Sequence, residues 1–177
     1  MEASVDSRFP IGRLNRVPAL DAAGRAAAID EIGRLPGQLA SAVNGLTDTQ
    51  LDTPYRDGGW TVRQLVHHLA DSHMNAFIRC KLVVSEDGPP LKGYDQDGWA
   101  EMIDSTTLSI APSLAIVDGM HQRWATFLRS LAPEAFARPG VHSENGPLTL
   151  DTLLQIYSWH GRHHVAHITE LRKRRGW

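Results

Sequence analysis

The stretch "TVRQLVHHLADSHMNAF", Thr61 to Phe77, decides the fold. Val62, Leu65, Val66 and Leu69, followed by His73 and Phe77, recur at three and four, the period of one face of an α-helix. Thr61 is a natural N-cap, Gly58 and Gly59 in "RDGGW" punctuate the chain before it, and "EDGPP" (Glu86 to Pro90) ends the pattern. The same periodicity recurs three more times. From about Asp21 to Leu46, Ile29, Ile32, Leu35, Leu39, Ala42, Val43 and Leu46 form a stripe, with a kink expected at Pro36. A third helix starts near Pro112, a favoured first-turn residue, and carries Leu114, Val117, His121, Trp124, Leu128 and Leu131 before "LAPE". The last runs from about Thr149 to Arg174, where Gly176 can stop it. "YDQDGWAEMIDS" (Tyr94 to Ser105) reads as a short helix in a long connection, and "FARPGVHSENGPLTL" (Phe136 to Leu150) as an irregular or hairpin-like link. Four amphipathic helices with two longer connections predict an all-α protein, an antiparallel four-helix bundle, in a single domain spanning 1–177.

Composition narrows the function. The chain has 177 residues, 42% hydrophobic, with a net charge of −2. That is enough to bury a sizeable core and gives no electrostatic reason for nucleic acid or an anionic membrane as partner. No apolar run approaches the roughly 20 residues of a membrane span, and "MEASVDSRFPIGRL" lacks the apolar region of a signal peptide. The one basic run, Arg172 to Arg175, reads as a solvated helix C-terminus. A lone cysteine, Cys80, excludes an internal disulfide and a cysteine-rich zinc site. It reads as a small core residue, and a cytoplasmic location is expected.

Histidine carries the chemistry. Seven of the nine histidines fall in two helices, at 67, 68 and 73 and at 160, 163, 164 and 167. His160 and His164 are four apart, so one helix face presents both imidazoles about one turn apart, the spacing by which a helix chelates a transition metal. A third ligand must come from another helix, and the second offers candidates. Three protein ligands with open positions for water is the pattern of a catalytic site, and all-nitrogen ligation suits zinc or nickel. His73 and His121 lie on apolar stripes and read as packed rings or hydrogen-bonding supports. His142 reads as solvated, His163 as a quarter-turn off the ligand face and His167 as a partner of His164. Asp71, Asn75 and Arg79 follow the histidines at four-residue steps, as a polar bundle face. Tyr157 and Trp159 read as packing. No H-E-x-x-H, G-x-S-x-G or phosphate-cradling loop is present.

"FPIGR" (Phe9 to Arg13), "LDTPYRDGGWTVRQLVHHLADSHMN" (Leu51 to Asn75) and "HHVAHITEL…GW" (from His163) resemble the YfiT-like branch of the DinB superfamily over nearly the whole chain. The resemblance implies one divalent metal per chain, nickel or zinc, on His68, His160 and His164, with water completing the shell. His68 follows from the register of Trp60, eight residues before it. His67 would then serve the surface or an outer shell. Family members are described as metal-dependent hydrolases, and related bundles transfer low-molecular-weight thiols such as bacillithiol to electrophiles. The expected function is therefore thiol transfer to a small electrophilic substrate, with hydrolysis by metal-bound water as the alternative and a non-catalytic metal-binding module as a second. In the transferase reading Arg79 is placed to hold a thiol cosubstrate's carboxylate. The resemblance also implies a homodimer.

Overall fold

The computed structural model describes residues 6–177. Four long helices carry the fold: α1 (Ala22–Val43), α3 (Val62–Ser85), α6 (Ala111–Arg129) and α7 (Leu150–Arg175). Their starts are written in side chains. Asp21 accepts from the Gly24 amide, Thr149 from the Thr152 amide, and Thr61 and Gln64 form a reciprocal capping box at α3. Gly176, at φ 70°, closes α7 in the left-handed conformation. The α1 helix continues through Pro36 without interruption. Of the basic run, Arg172 turns back to the Ala42 and Asn44 carbonyls and Arg174 to that of Tyr55. None of the described helices is long and apolar enough to cross a membrane.

The helices form a four-helix bundle in which α1 and α3 each pack against both α6 and α7. Side-chain pairs fix the directions. Asp30 meets Arg129 while Ile32 meets His121, and His68 meets His164 while Arg79 meets Tyr157, so α1/α6 and α3/α7 are antiparallel. His67 meets Ser113 while His73 meets His121, and Arg25 meets Asp151 while Ala42 meets Arg172, so α3/α6 and α1/α7 run parallel. A parallel α3/α6 pair needs a connection that travels back along the bundle. Residues 86–110 supply it, with β1 (Pro90–Leu91) and two short helices, α4 (Gln96–Ala100) and α5 (Ile103–Thr107), where one was expected. Asp48–Leu51 forms the short α2, and a 3-10 turn spans Pro133–Ala137. The expected hairpin-like link is a hairpin of β2 (Pro139–His142) and β3 (Gly146–Thr149), and β1 adds to it in parallel, Pro90 opposite Val141. That third strand has no signal in the sequence, because two residues are too few for a period.

The core is divided. One apolar cluster gathers Ile32, Ala76, Trp124, Leu154 and Tyr157; the other gathers Leu39, Leu69, Val117 and Ile168. Between them lies a layer of histidine: His73 between Leu69 and Ala76, His121 between Val117 and Trp124, and His160 and His164 between Tyr157 and Ile168. The α1 helix approaches this layer closely. Gly161 faces Leu35, whose methyls would stand 2.6 and 2.8 Å from a Cβ at that position. Glycine leaves room for Leu35 where α1 meets α7; any larger residue would have to displace that side chain.

Candidate metal centre

His68 of α3 and His160 and His164 of α7 present ring nitrogens within 4.8 Å of one another. The His160 Nε2 stands 3.3 Å from His68 Nε2 and 3.1 Å from His164 Nε2. Trp60, the residue before the α3 cap, packs on His68 at 4.7 Å between ring centroids, so the register read from the sequence corresponds to a real contact. His67 points elsewhere. Its Nδ1 meets Ser113 Oγ at 2.8 Å and its Nε2 the Leu108 carbonyl at 3.2 Å, and it is buried. The expectation of a surface or outer-shell role is corrected: neighbouring residues on a helix diverge by about 100°, and here that carries His67 under α5 and α6.

The protons on these rings are set by two backbone carbonyls. A carbonyl only accepts, so His121 Nδ1 donates to the Ile32 oxygen, 2.7 Å away. The bare His121 Nε2 then accepts from His73 Nδ1 at 3.0 Å, and His73 Nε2 accepts from His160 Nδ1 at 3.0 Å. The chain ends with the His160 lone pair on Nε2. From the other side, His167 Nε2 donates to the Arg8 carbonyl at 3.4 Å, and its Nδ1 accepts from His164 Nδ1 at 3.3 Å. His164 likewise keeps its lone pair on Nε2.

Two bare nitrogens therefore face each other at 3.1 Å, with a third beside them. Such a contact needs a positive centre between the rings. A proton serves poorly, because burial and the neighbouring imidazoles hold His160 and His164 well below the usual histidine range, and burial holds His68 down to about 4. A divalent cation fits. Nitrogens about 2.0–2.1 Å from one zinc stand roughly 2.9–3.4 Å apart between right-angled and tetrahedral ligation.

The triad opens on a cleft of about 460 Å³ walled by Trp60, Trp159 and His163, with Arg8 and Arg56 at its sides. Sequence reading set His163 aside as off the ligand face. It stacks on Trp159 at 4.2 Å, and its buried Nδ1 has no partner among the described residues. A second cavity of about 470 Å³ adjoins the first across His160 and Gln96. His142 lines it and is 7% exposed, which corrects the expectation that it is solvated; pairing of β2 with β1 tucks the hairpin against the bundle. Arg79 lines it too, whereas Asn75 turns back to the Asp71 carbonyl, and burial beside Asp104 pushes the Asp71 carboxyl up to about 6. The polar face expected on α3 thus splits. Tyr157 packs on His160 as expected, and its hydroxyl also accepts from Arg79. Cys80 is a buried core residue, its thiol pushed up to about 12 by burial.

The same layer sets an acid limit. Burial holds His121 down to about 4, whereas the unfolded chain protonates this residue near 6.5. The stabilising difference is complete above pH 6.5 and is lost as the pH falls from there towards 4. His121 alone accounts for about 3 kcal/mol across that window, at about 1.4 kcal/mol per unit. Urea unfolding of metal-free protein is expected to show a clearly lower midpoint at pH 4.5 than at pH 7.5, with part of that drop removed in His121→Phe. An equal drop in the variant would contradict the assignment.

With this geometry in view, the relatives can be read. The family model of the DinB superfamily matches residues 31–168. The chain is a member of the DinB superfamily. Among members of that superfamily, the Bacillus subtilis protein named "Putative metal-dependent hydrolase YfiT" is 45% identical over 98% of both chains. A Geobacillus kaustophilus protein of the same designation is 47% identical over 99% of both. The solved structure of Bacillus subtilis YfiT, described as having an unusual four-helix bundle topology, superposes with a TM-score of 0.94 over 97% of this chain and 98% of that one. The parallel α3/α6 and α1/α7 pairs set this DinB bundle apart from a simple up-and-down arrangement.

Proposed function

We propose that this protein is a metal-dependent enzyme in which His68, His160 and His164 hold one zinc or nickel ion, and that the nucleophile activated there is a low-molecular-weight thiol. The observation that carries the reading is the convergence of the bare His160 and His164 nitrogens with the His68 Nε2 at the floor of an open cleft. Three protein ligands leave positions for an exogenous group. A divalent ion in such a site lowers the pKa of a bound thiol, or of water, into the neutral range. The protein's own residues do the rest. The Ile32 and Arg8 carbonyls hold the ligand tautomers, Trp60 and Trp159 narrow the access of water, and Arg56 favours an anionic nucleophile or leaving group. The His163 Nδ1, buried at the cleft wall without a partner among the described residues, is free to hydrogen-bond a ligand there, while the proton that the thiol gives up leaves to solvent, because burial holds His163 down to about 4. In the transfer a sulfur–carbon bond forms, the bond from carbon to the leaving group breaks, and that group departs with the electron pair.

Hydrolysis by metal-bound water is the second reading, favoured by the designation that the relatives carry. One titration separates the two. Protein reconstituted with cobalt is expected to develop a sulfur-to-cobalt charge-transfer band as a small thiol is added, and to turn over electrophiles only in its presence. Turnover of esters without thiol, and no band, would establish the hydrolase reading instead.

A further inference from the structure

We propose that the second cavity is a carboxylate-binding subsite centred on Arg79, which anchors the far end of a ligand whose reactive end lies at the three histidines. Arg79 is 6% exposed, and no carboxylate among the described residues forms an ion pair with it. Its fork donates once to the Tyr157 hydroxyl, at 3.1 Å, and once to the Lys92 carbonyl. A guanidinium carries five N–H donors, so the fork is under-used. A buried cation without a counter-charge is costly, and the cavity beside it has room for one.

Two further donors line the same space. The Tyr94 hydroxyl is buried and has no hydrogen-bond partner among the described residues. His142 Nδ1 accepts from the Glu144 and Asn145 amides at 3.2 and 3.4 Å, which leaves its proton on Nε2. Arginine, tyrosine and histidine thus offer N–H and O–H groups to one cavity, the complement of a planar anion. The Glu144 and Asp95 carboxylates stand at the exposed rim, so the ligand places a single negative charge inward. Tyr157 joins the two ends: its ring lies 5.7 Å from that of His160 while its hydroxyl holds Arg79. The ligand class is a small monocarboxylate, whether the substrate or the thiol itself. The reactive end rests on the function proposed above; the anion contact does not.

The test separates them. Metal-free protein labelled with nitrogen-15 is titrated with butyrate and, in parallel, with neutral butyramide. Saturable shifts at Arg79 and Tyr94 with butyrate only are expected. Affinity should fall about 10- to 100-fold in Arg79→Gln, the range for a hydrogen bond to a charged group, and several-fold in Tyr94→Phe, which keeps the charge and guards against a misfolded arginine variant. Equal shifts with butyramide, or butyrate binding unchanged in both variants, would overturn the proposal. A second titration, of cobalt-loaded protein with 3-mercaptopropionate and 2-mercaptoethanol, reads the reactive end. A charge-transfer band that appears at lower concentration with the carboxylate thiol, by tenfold or more, and loses that preference in Arg79→Gln, supports the link. Butyrate binding without any band leaves the anion subsite standing and removes the thiol reading.

Discussion

Replacing His68 by alanine is expected to cost far more metal affinity than the roughly 10–100-fold that loss of an outer hydrogen-bond partner costs, while His67→Ala leaves affinity within a few-fold. The two residues are adjacent, and helix geometry sends only one towards α7. His68 Nε2 is 3.3 Å from the His160 Nε2, whereas both nitrogens of His67 are taken by Ser113 and Leu108. The costs should therefore cross over. His67→Ala leaves the buried Ser113 hydroxyl and the half-buried Leu108 carbonyl without this partner and is expected to lower unfolding stability by about 1–3 kcal/mol, with metal stoichiometry intact. Titration with zinc against a competing chelator, paired with urea unfolding, measures both. A folded His67→Ala that no longer binds metal would show the α3 register to be wrong.

The second large effect is expected one ring behind the site. His73→Phe removes a side chain with no exposed surface that joins His121 to His160. Without it, nothing holds the His160 proton on Nδ1, and the lone pair no longer points to the ligand position by default. Metal affinity should fall by about 10–100-fold. Long-range proton–nitrogen NMR of the metal-free variant should show His160 sampling both tautomers. His121→Phe, one ring further out, should act in the same direction and more weakly. Unchanged zinc affinity in His73→Phe would mean that the chain of rings only fills space.

Why one part of this molecule was readable and another was not comes down to range. Helices α3 and α7 declare themselves through caps and three-four periodicity, since both signals are local. The His160/His164 pair is local as well, four residues on one face. The third ligand is not: Leu65, Val66 and Leu69 leave His67 and His68 on either flank of the stripe, and Trp60 decides between them only through a family's register. His142 was misjudged for the same reason: it owes its burial to a two-residue parallel strand distant in sequence. The directions of the helices follow from contacts such as Gly33 with Ala125, 92 residues apart and without a local sign. The carbonyl–imidazole chains depend on Ile32 and Arg8, whose side chains say nothing about what their oxygens do.

Gly161 has a bearing on engineering. It sits directly after His160, one of the three proposed ligands, and Leu35 fills the space where its side chain would be. A methyl there would have to displace the buried Leu35 side chain or move α7 away from α1, and ligand positions tolerate displacement of only about 0.5 Å. The site is thus not portable as three histidines at fixed spacings. A scaffold that is to receive it must also accept a glycine inside a long helix, where that residue costs roughly 0.5–1 kcal/mol of helix stability relative to alanine, and must offer a leucine on the facing helix to fill the gap. Transplanted without that pair, the same three imidazoles would arrive on a helix standing too far from its neighbour, and the donors would miss their common point.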